Sequence, residues 1–255
     1  MRQFIRHAWQ RAWANTITWP LLPLLILQGK QTRKRTPRLP PAAHGHVQHL
    51  IPGQLPLINL LMLGESTAAG VGVQHIDEAL MGQIAQHLHG LTQRAIKWSV
   101  IGKNGATASS IRRELLPQVK PLPVDIIFLT LGVNDTVRLR SSQRFARDLS
   151  ALIMATRASF GHTPIILTGV PDMGNMPVLP FPLRSVLGSR AKMLAHSSQQ
   201  LATRCIDVYY HTTPLPNGAV LACDRYHPNA LGYAAWGKSL AQLLIEQDLI
   251  HKEHS

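Results

Sequence analysis

The feature that most constrains the fold is a series of short apolar runs, separated by longer stretches with helical periodicity. The runs lie at 57–63, 96–101, 124–131 and 164–168, with a less regular one at 205–210. They are continuous rather than alternating, which is typical of parallel strands in a sheet that is covered on both faces. The sequence therefore predicts an α/β protein with a central parallel sheet of about five strands.

Helices are predicted between these strands. Apolar residues recur at three- and four-residue steps from 145 to 156, which would place them on one face of a helix. Ser141 or Ser142 lies where the N-cap of that helix is expected. Two further helical stretches are predicted at 184–203 and 232–248.

The positive charge of the chain is concentrated near its N-terminus. The formal net charge is +13, and 8 Lys and Arg residues occur through Arg38, whereas the first acidic residue is Glu65. A hydrophobic content of 45% with 15% charged residues excludes both a disordered chain and a bundle of transmembrane helices. We expect a basic, apolar N-terminal segment and linker over 1–53, followed by one α/β domain over 54–255.

The N-terminal segment favours contact with a membrane surface. Residues 12–28 carry no charge, but the apolar part is shorter than the about 20 residues of a spanning helix, and Pro20 and Pro23 would kink or break it. Basic residues on both sides suit an interfacial anchor, residues 1–38, on the anionic cytoplasmic leaflet. An uncleaved export signal and packing of the leucines on the domain are the alternatives. A nucleic-acid arm is disfavoured because no base-reading chemistry follows.

The cysteines and histidines do not predict a metal site. Cys205 and Cys223 are too few for a disulfide-dense scaffold or a four-cysteine zinc site. Free thiols are the commoner state for such residues, although pairing is open. The 13 histidines include closely spaced pairs, but no carboxylate or cysteine joins a pair at ligand spacing. No metal and no cofactor are expected.

Polar and glycine-rich segments follow three predicted strands and precede the last predicted helix. They lie at 64–70, 102–107 and 132–135, with the fourth at 224–228. In an open parallel sheet, binding sites form just beyond the carboxyl ends of the strands. These four segments are therefore the candidates for a functional site.

Together, the four segments resemble the conserved blocks of the SGNH (GDSL-type) hydrolases. The first has Glu65 where the family's Gly-Asp-Ser block has Asp, and the second supplies the block glycine, Gly105. Residues 132–135 resemble the Gly-x-Asn-Asp block, and 224–228 resemble the Asp-x-x-His-Pro signature. The resemblance implies the flavodoxin-like three-layer α/β/α sandwich of SGNH hydrolases and the hydrolysis of carboxylic esters.

The resemblance also implies a catalytic triad of Ser66, Asp224 and His227. A serine hydroxyl needs a base, which a neutral imidazole can be, and an aspartate can hold that imidazole in one tautomer. The family pattern implies an oxyanion hole made of the backbone N–H groups of Ser66 and Gly105 and the side-chain amide of Asn134. Alone, such a serine would indicate a helix cap and an Asn-Asp pair a turn, so the joint pattern carries the prediction.

The segment 171–187 is the candidate substrate-binding loop. It follows the 164–168 strand and contains Met173, Met176 and Phe181, which could contact an apolar acyl group or could simply cover the edge of the sheet. The expected function is that of an esterase or lipase-like enzyme acting through an acyl-serine intermediate. The alternatives are an O-deacetylase or acyltransferase for carbohydrate or cell-envelope components, and a membrane-surface binding module that has lost activity.

Overall fold

A six-stranded, mostly parallel sheet forms the centre of a computed structural model that describes residues 20–43, 48–120, 122–213 and 218–250. Its strands are β1 (His49–Ile51), β2 (Gln54–Gly64), β3 (Arg94–Gly102), β4 (Ile126–Thr130), β5 (Ile165–Thr168) and β6 (Val208–His211). Their order across the sheet is β1-β3-β2-β4-β5-β6, and only β1 runs antiparallel to its neighbour. The prediction of a parallel sheet is confirmed, with one antiparallel edge strand in addition to five parallel strands.

Helices cover both faces of the sheet. They are α1 (20–35), α2 (Leu80–Thr92), α3 (Ala108–Ser110), α4 (Val133–Val137), α5 (Ser142–Phe160), α6 (Leu183–Ala202) and α7 (Ala230–Glu246). One core lies between the sheet and α5 and α6, and contains Phe145 and Leu194. The other core lies between the sheet and α2 and α7, and contains Ile84 and Tyr233. The predicted three-layer α/β/α sandwich is therefore confirmed.

The apolar patterns account for the central elements. β4 and β5 are buried along their whole length, as continuous apolar runs require in a sheet covered on both faces. Ser141 is the N-cap of α5, and its Oγ accepts a hydrogen bond from the Arg144 N–H at 3.2 Å. The strands thus place the loops that follow β2, β3 and β4 side by side at one edge of the sheet.

Helix α1 differs from the sequence expectation, because Pro20 and Pro23 do not break it. They lie at the beginning of its described part, so the N–H groups that they lack would bond only residues preceding position 20. Leu25 is buried in the core beside α5 and α6, and the Gln28 side chain bonds both the Phe181 carbonyl (2.8 Å) and the Leu183 N–H (3.2 Å). This helix therefore lies against the α/β body.

The opposite face of α1 is apolar and open to solvent. Leu24, Ile26 and Leu27 are 41%, 49% and 52% exposed. Within the described residues, no helix has the length and apolar character that crossing a bilayer would require. Of the predicted anchor at 1–38, residues 1–19 lie outside the described residues.

Candidate active site

The loop after β2 and the loop before α7 meet at the carboxyl edge of the sheet. The first carries Ser66 and the second carries His227. Tyr233 of α7 ties the two together, because its hydroxyl donates to the Val71 carbonyl at 2.7 Å. At Gly72, which has a φ of 112°, a Cβ atom would lie 2.2 Å from the Pro228 carbonyl oxygen. Glycine is therefore needed there for the two loops to approach each other.

Ser66, His227 and Asp224 form a continuous chain of hydrogen bonds. His227 Nε2 lies 2.9 Å from Ser66 Oγ, and His227 Nδ1 lies 2.6 Å from Asp224 Oδ2. Asp224 Oδ1 also accepts the backbone N–H groups of Tyr226 and His227. Burial alone would raise the pKa of Asp224, but these hydrogen bonds outweigh it and lower that pKa below its ordinary value. The carboxylate is thus held ionised against the imidazole.

The predicted oxyanion donors lie beside this chain. Gly105 follows β3 with a φ of 81°, and a Cβ atom placed on it would have no neighbouring atom within 4 Å, so its backbone borders open space. Neither the Ser66 nor the Gly105 N–H donates a backbone hydrogen bond within the part of the chain that the structure describes. Asn134 lies in the first turn of α4 and lines the same groove as Gly105 and His227. The three predicted donors are thus brought to one site.

Glu65 is a site residue to which the sequence alone assigns no role. Its Oε2 accepts hydrogen bonds from the Asn134 side-chain amide (2.6 Å) and the Asn134 backbone N–H (3.1 Å), and its Oε1 accepts one from the Val133 N–H (3.2 Å). The Asn134 amide has two hydrogens, so one is held by Glu65 and the second has no hydrogen-bond partner among the described residues. Burial raises the pKa of Glu65 to about 7 despite these hydrogen bonds.

Asp135 of α4 and Arg138, which directly follows α4, hold the loop that contains Gly105. Asp135 is fully buried, and its Oδ2 accepts the Ala108 N–H at 3.1 Å. Arg138 donates from Nη2 to the Gly105 carbonyl at 3.2 Å. Asp135 is therefore placed to anchor the loop through the backbone, while its neighbour Asn134 lines the site.

Two cavities border His227, and the smaller of them also borders Ser66. The smaller, of about 220 Å³, is bordered by the apolar side chains of Met176 and Trp236 together with Ser66 and His227. The larger, of about 800 Å³, contains Gly105 and Asn134 in its wall and extends to α1. Ser66 therefore lines the small apolar pocket, and His227 lies between that pocket and the larger groove.

The three candidate substrate-binding residues have different positions. Met176 lines the smaller cavity. Met173 is fully buried in the core instead, and the Phe181 side chain is 73% exposed. Neither Met173 nor Phe181 borders the two cavities beside His227. Flexible apolar residues on one loop cannot be ranked from sequence, because the direction of each side chain depends on how the loop packs.

The remaining chemistry-bearing residues form no further centre in the described part of the chain. Cys205 and Cys223 are both free thiols, so they do not form a disulfide. Among the residues that the structure describes, no group of three or more His, Cys, Asp or Glu side chains could hold a metal ion.

Known proteins resemble this chain in sequence and in fold. Residues 62–235 match the sequence model of the GDSL-like Lipase/Acylhydrolase family. The GDSL-like esterase Rv1075c of Mycobacterium tuberculosis is 28% identical over 192 residues, which are 69% of this chain and 58% of that relative. The chain thus spans less than two thirds of the length of this relative.

Solved structures of low sequence identity share the fold. The family 3 carbohydrate esterase of Clostridium thermocellum superposes with a TM-score of 0.58 at 17% identity, over 75% of this chain and 97% of that one. The lipase Lip_vut3 from a goat rumen metagenome superposes with a TM-score of 0.57 at 19% identity, over 72% and 96% of the two chains. The sequence match at 62–235 covers more than half of the chain and includes Ser66 and His227, and the chain therefore belongs to the GDSL-like lipase/acylhydrolase family.

Proposed function

We propose that the protein is a serine hydrolase of carboxylic esters, with Ser66 as nucleophile, His227 as base and Asp224 as the residue that orients the imidazole. The observation that carries the proposal is the continuous hydrogen-bond chain, with distances of 2.6 Å from Asp224 to His227 and 2.9 Å from His227 to Ser66. This arrangement activates a hydroxyl that is otherwise a poor nucleophile. It also disfavours the alternative of a binding module that has lost its activity.

The reaction proceeds in two steps. His227 Nε2 takes the Ser66 proton while Oγ attacks the ester carbonyl carbon, and the oxyanion is met by the N–H groups of Ser66, Gly105 and Asn134. His227 then gives the proton to the leaving alcohol oxygen as the carbon–oxygen bond breaks, which leaves an acyl ester on Ser66. A water molecule deprotonated by His227 attacks this ester and releases the acid, and Ser66 regains its proton.

The smaller cavity supports an apolar acyl group as the substrate portion bound there. Leu131, Met176, Leu221 and Trp236 line it, and its volume is about 220 Å³. The larger groove then receives the alcohol, which must leave while the acyl group remains on Ser66. Hydrolysis of p-nitrophenyl esters from acetyl to palmitoyl tests this assignment. A maximum at short or medium acyl chains supports it, a strict preference for acetyl indicates a carbohydrate deacetylase, and inactivity on every ester contradicts simple ester hydrolysis.

Met176→Ala is expected to move the maximum toward longer acyl chains. The substitution removes a side chain that is 4% exposed and lines the cavity, so the pocket becomes deeper. Met173→Ala is the matched control, because Met173 is equally apolar and buried but does not border the pocket. Both variants should lose about 2–5 kcal/mol of unfolding free energy, as buried Met→Ala changes do. An identical chain-length profile for the two variants would rule out the smaller cavity as the acyl pocket.

We also propose that α1 contacts an anionic lipid surface, such as the cytoplasmic leaflet. The exposed Leu24, Ile26 and Leu27 support this, because they are followed by Lys30, Arg33, Lys34 and Arg35 on the same helix. Apolar side chains beside basic ones are the pattern that binds in the interface of anionic bilayers.

Sedimentation with phosphatidylglycerol vesicles measures this contact. The full chain is expected to bind and to be released by salt, because the attraction to anionic lipid is screened. Leu24→Ser with Leu27→Ser should abolish binding. A control pair of apolar side chains that are even more exposed, on other helices, Leu91→Ser with Met154→Ser, should retain it. Equal binding by the two double variants would exclude α1 as the contact.

A further inference from the structure

The larger groove is built partly by α1, outside the matched family region. Leu22, Leu25 and Gly29 of α1 lie on one side of it, and Leu183 and Leu187 of α6 also line it. The Gln28 bonds to the Phe181 carbonyl and the Leu183 N–H hold these two sides together. An alcohol leaving Ser66 through this groove would therefore contact α1.

The charge of the groove is almost entirely positive. Arg33, Arg38 and Arg138 line it, and the one carboxylate in its described wall is Asp224, which is already bound to His227. Arg35 and Arg225 line an adjoining cavity of about 360 Å³ that also borders Asp224. Arginines grouped in this way around a cleft attract anions and concentrate them there.

Arg138 relates this charge to the reacting centre. One of its N–H groups donates to the Gly105 carbonyl at 3.2 Å, and its other guanidinium donors make no hydrogen bond to the residues that the structure describes, so a ligand can reach them. The nearby Glu114 carboxylate accepts a hydrogen bond from Lys103 Nζ at 2.6 Å. This hydrogen bond is the main cause that lowers the pKa of Glu114, and the charge of Arg138 lowers it further. An anion bound by Arg138 would thus lie next to the loop that supplies the Gly105 oxyanion donor.

We infer that the alcohol half of the substrate carries an anionic group, a phosphate or a carboxylate, bound in the larger groove by Arg33, Arg38 and Arg138. The inference rests on the proposed ester hydrolysis and names its substrate class: an ester of an apolar acid with an anionic alcohol. Guanidinium groups bind both anions through charge-assisted, often bidentate hydrogen bonds. Apolar side chains elsewhere in the groove contact the carbon skeleton of the same alcohol.

Three soluble esters that share the same acyl group measure the effect of the anionic group apart from that of the rest of the substrate. They are the octanoyl esters of glycerol 3-phosphate, of glyceric acid and of glycerol, used below the concentrations at which they aggregate. The wild-type kcat/KM for at least one anionic ester should exceed that for the neutral ester by on the order of tenfold, as one charged hydrogen bond provides. The difference should lie mainly in KM, because the anion is bound equally well in the ground state and in the transition state.

Arg33→Gln with Arg38→Gln should reduce this preference toward equality. The matched control is Lys30→Gln with Lys34→Gln, which removes the same two charges from the same segment, at exposed positions that line neither the groove nor the adjoining cavity. The control should keep the preference. A wild-type enzyme without preference, or two double variants with the same preference, would overturn the inference.

Binding to Ser66→Ala separates this inference from the proposed function. If the wild type hydrolyses neither these three esters nor any p-nitrophenyl ester, the proposed function fails, but calorimetric titration of Ser66→Ala still measures the site. Tighter binding of an anionic ester than of the neutral one, lost with Arg33→Gln and Arg38→Gln, supports the anion site. Equal binding of all three esters contradicts it.

Discussion

Ser66→Ala is expected to lower kcat for p-nitrophenyl esters by about 10⁴- to 10⁶-fold, with KM nearly unchanged. Among the described residues the Ser66 hydroxyl makes one hydrogen bond, from its Oγ to His227 Nε2 at 2.9 Å, so its removal is expected to leave both cavities intact. Rates are measured at saturating ester and compared with those of Ser159→Ala, a serine on α5 that should behave as wild type.

The double variant Ser66→Ala/His227→Ala decides whether the two residues act together. Groups that work as one unit show non-additive losses, so the double variant should be no slower than Ser66→Ala alone. Additive losses would mean that His227 acts independently of Ser66. If Ser66→Ala retained more than about a tenth of the wild-type kcat, Ser66 would be excluded as the nucleophile, because the residual rate expected without a nucleophile is far lower.

The elements that can be predicted from sequence are those with long, regular patterns. The runs at 57–63 and 164–168 correspond to β2 and β5, and the helix at 184–203 corresponds to α6, because burial on one or both faces imposes a pattern on every residue. Helix α2 is not among the predicted elements, and its N-cap is Ala79, which provides no side-chain hydrogen bond to mark the start.

The edge strand β1 is also absent from the prediction, for a different reason. It has three residues, too few to show a period, and it lies in the stretch that the sequence indicates as a linker. Its position depends on tertiary contacts, since it pairs with β3 and the His49 ring stacks on Trp98 with centroids 4.1 Å apart. A short strand of this kind is specified by its partner more than by its own sequence.

The site can be predicted in its residues but not in its contacts. The blocks place Ser66, Gly105 and Asn134 at strand ends, where the parallel sheet brings them together. The bond from Asn134 to Glu65 joins residues 69 positions apart, and no local pattern indicates that the longer Glu side chain reaches the amide. The boundary between 1–53 and 54–255 stays a prediction, whereas α1 itself lies in the wall of the groove.

Asn134→Ala is expected to reduce kcat by about 10²- to 10³-fold, because it removes one oxyanion donor from a site with low exposure to water. KM should change little, since the donor acts on charge that develops only in the transition state. Because burial raises the pKa of Glu65 to about 7, the rates are measured well above pH 7, where this carboxylate is ionised. Asn175→Ala, at an exposed position in the 171–187 loop, is the control and should keep the wild-type kcat.

Asn134→Asp separates a hydrogen-bond donor from a side chain that only fills space, because asparagine and aspartate have nearly the same shape. If Asn134 only packed, the aspartate would be tolerated better than alanine. As an oxyanion donor held by Glu65, it should instead be slower than Asn134→Ala, since a carboxylate there presents an acceptor to the oxyanion. It would also face the Glu65 carboxylate across the contact that is now a 2.6 Å hydrogen bond. A faster Asp variant would contradict the oxyanion role and indicate that the Asn134 side chain only fills space.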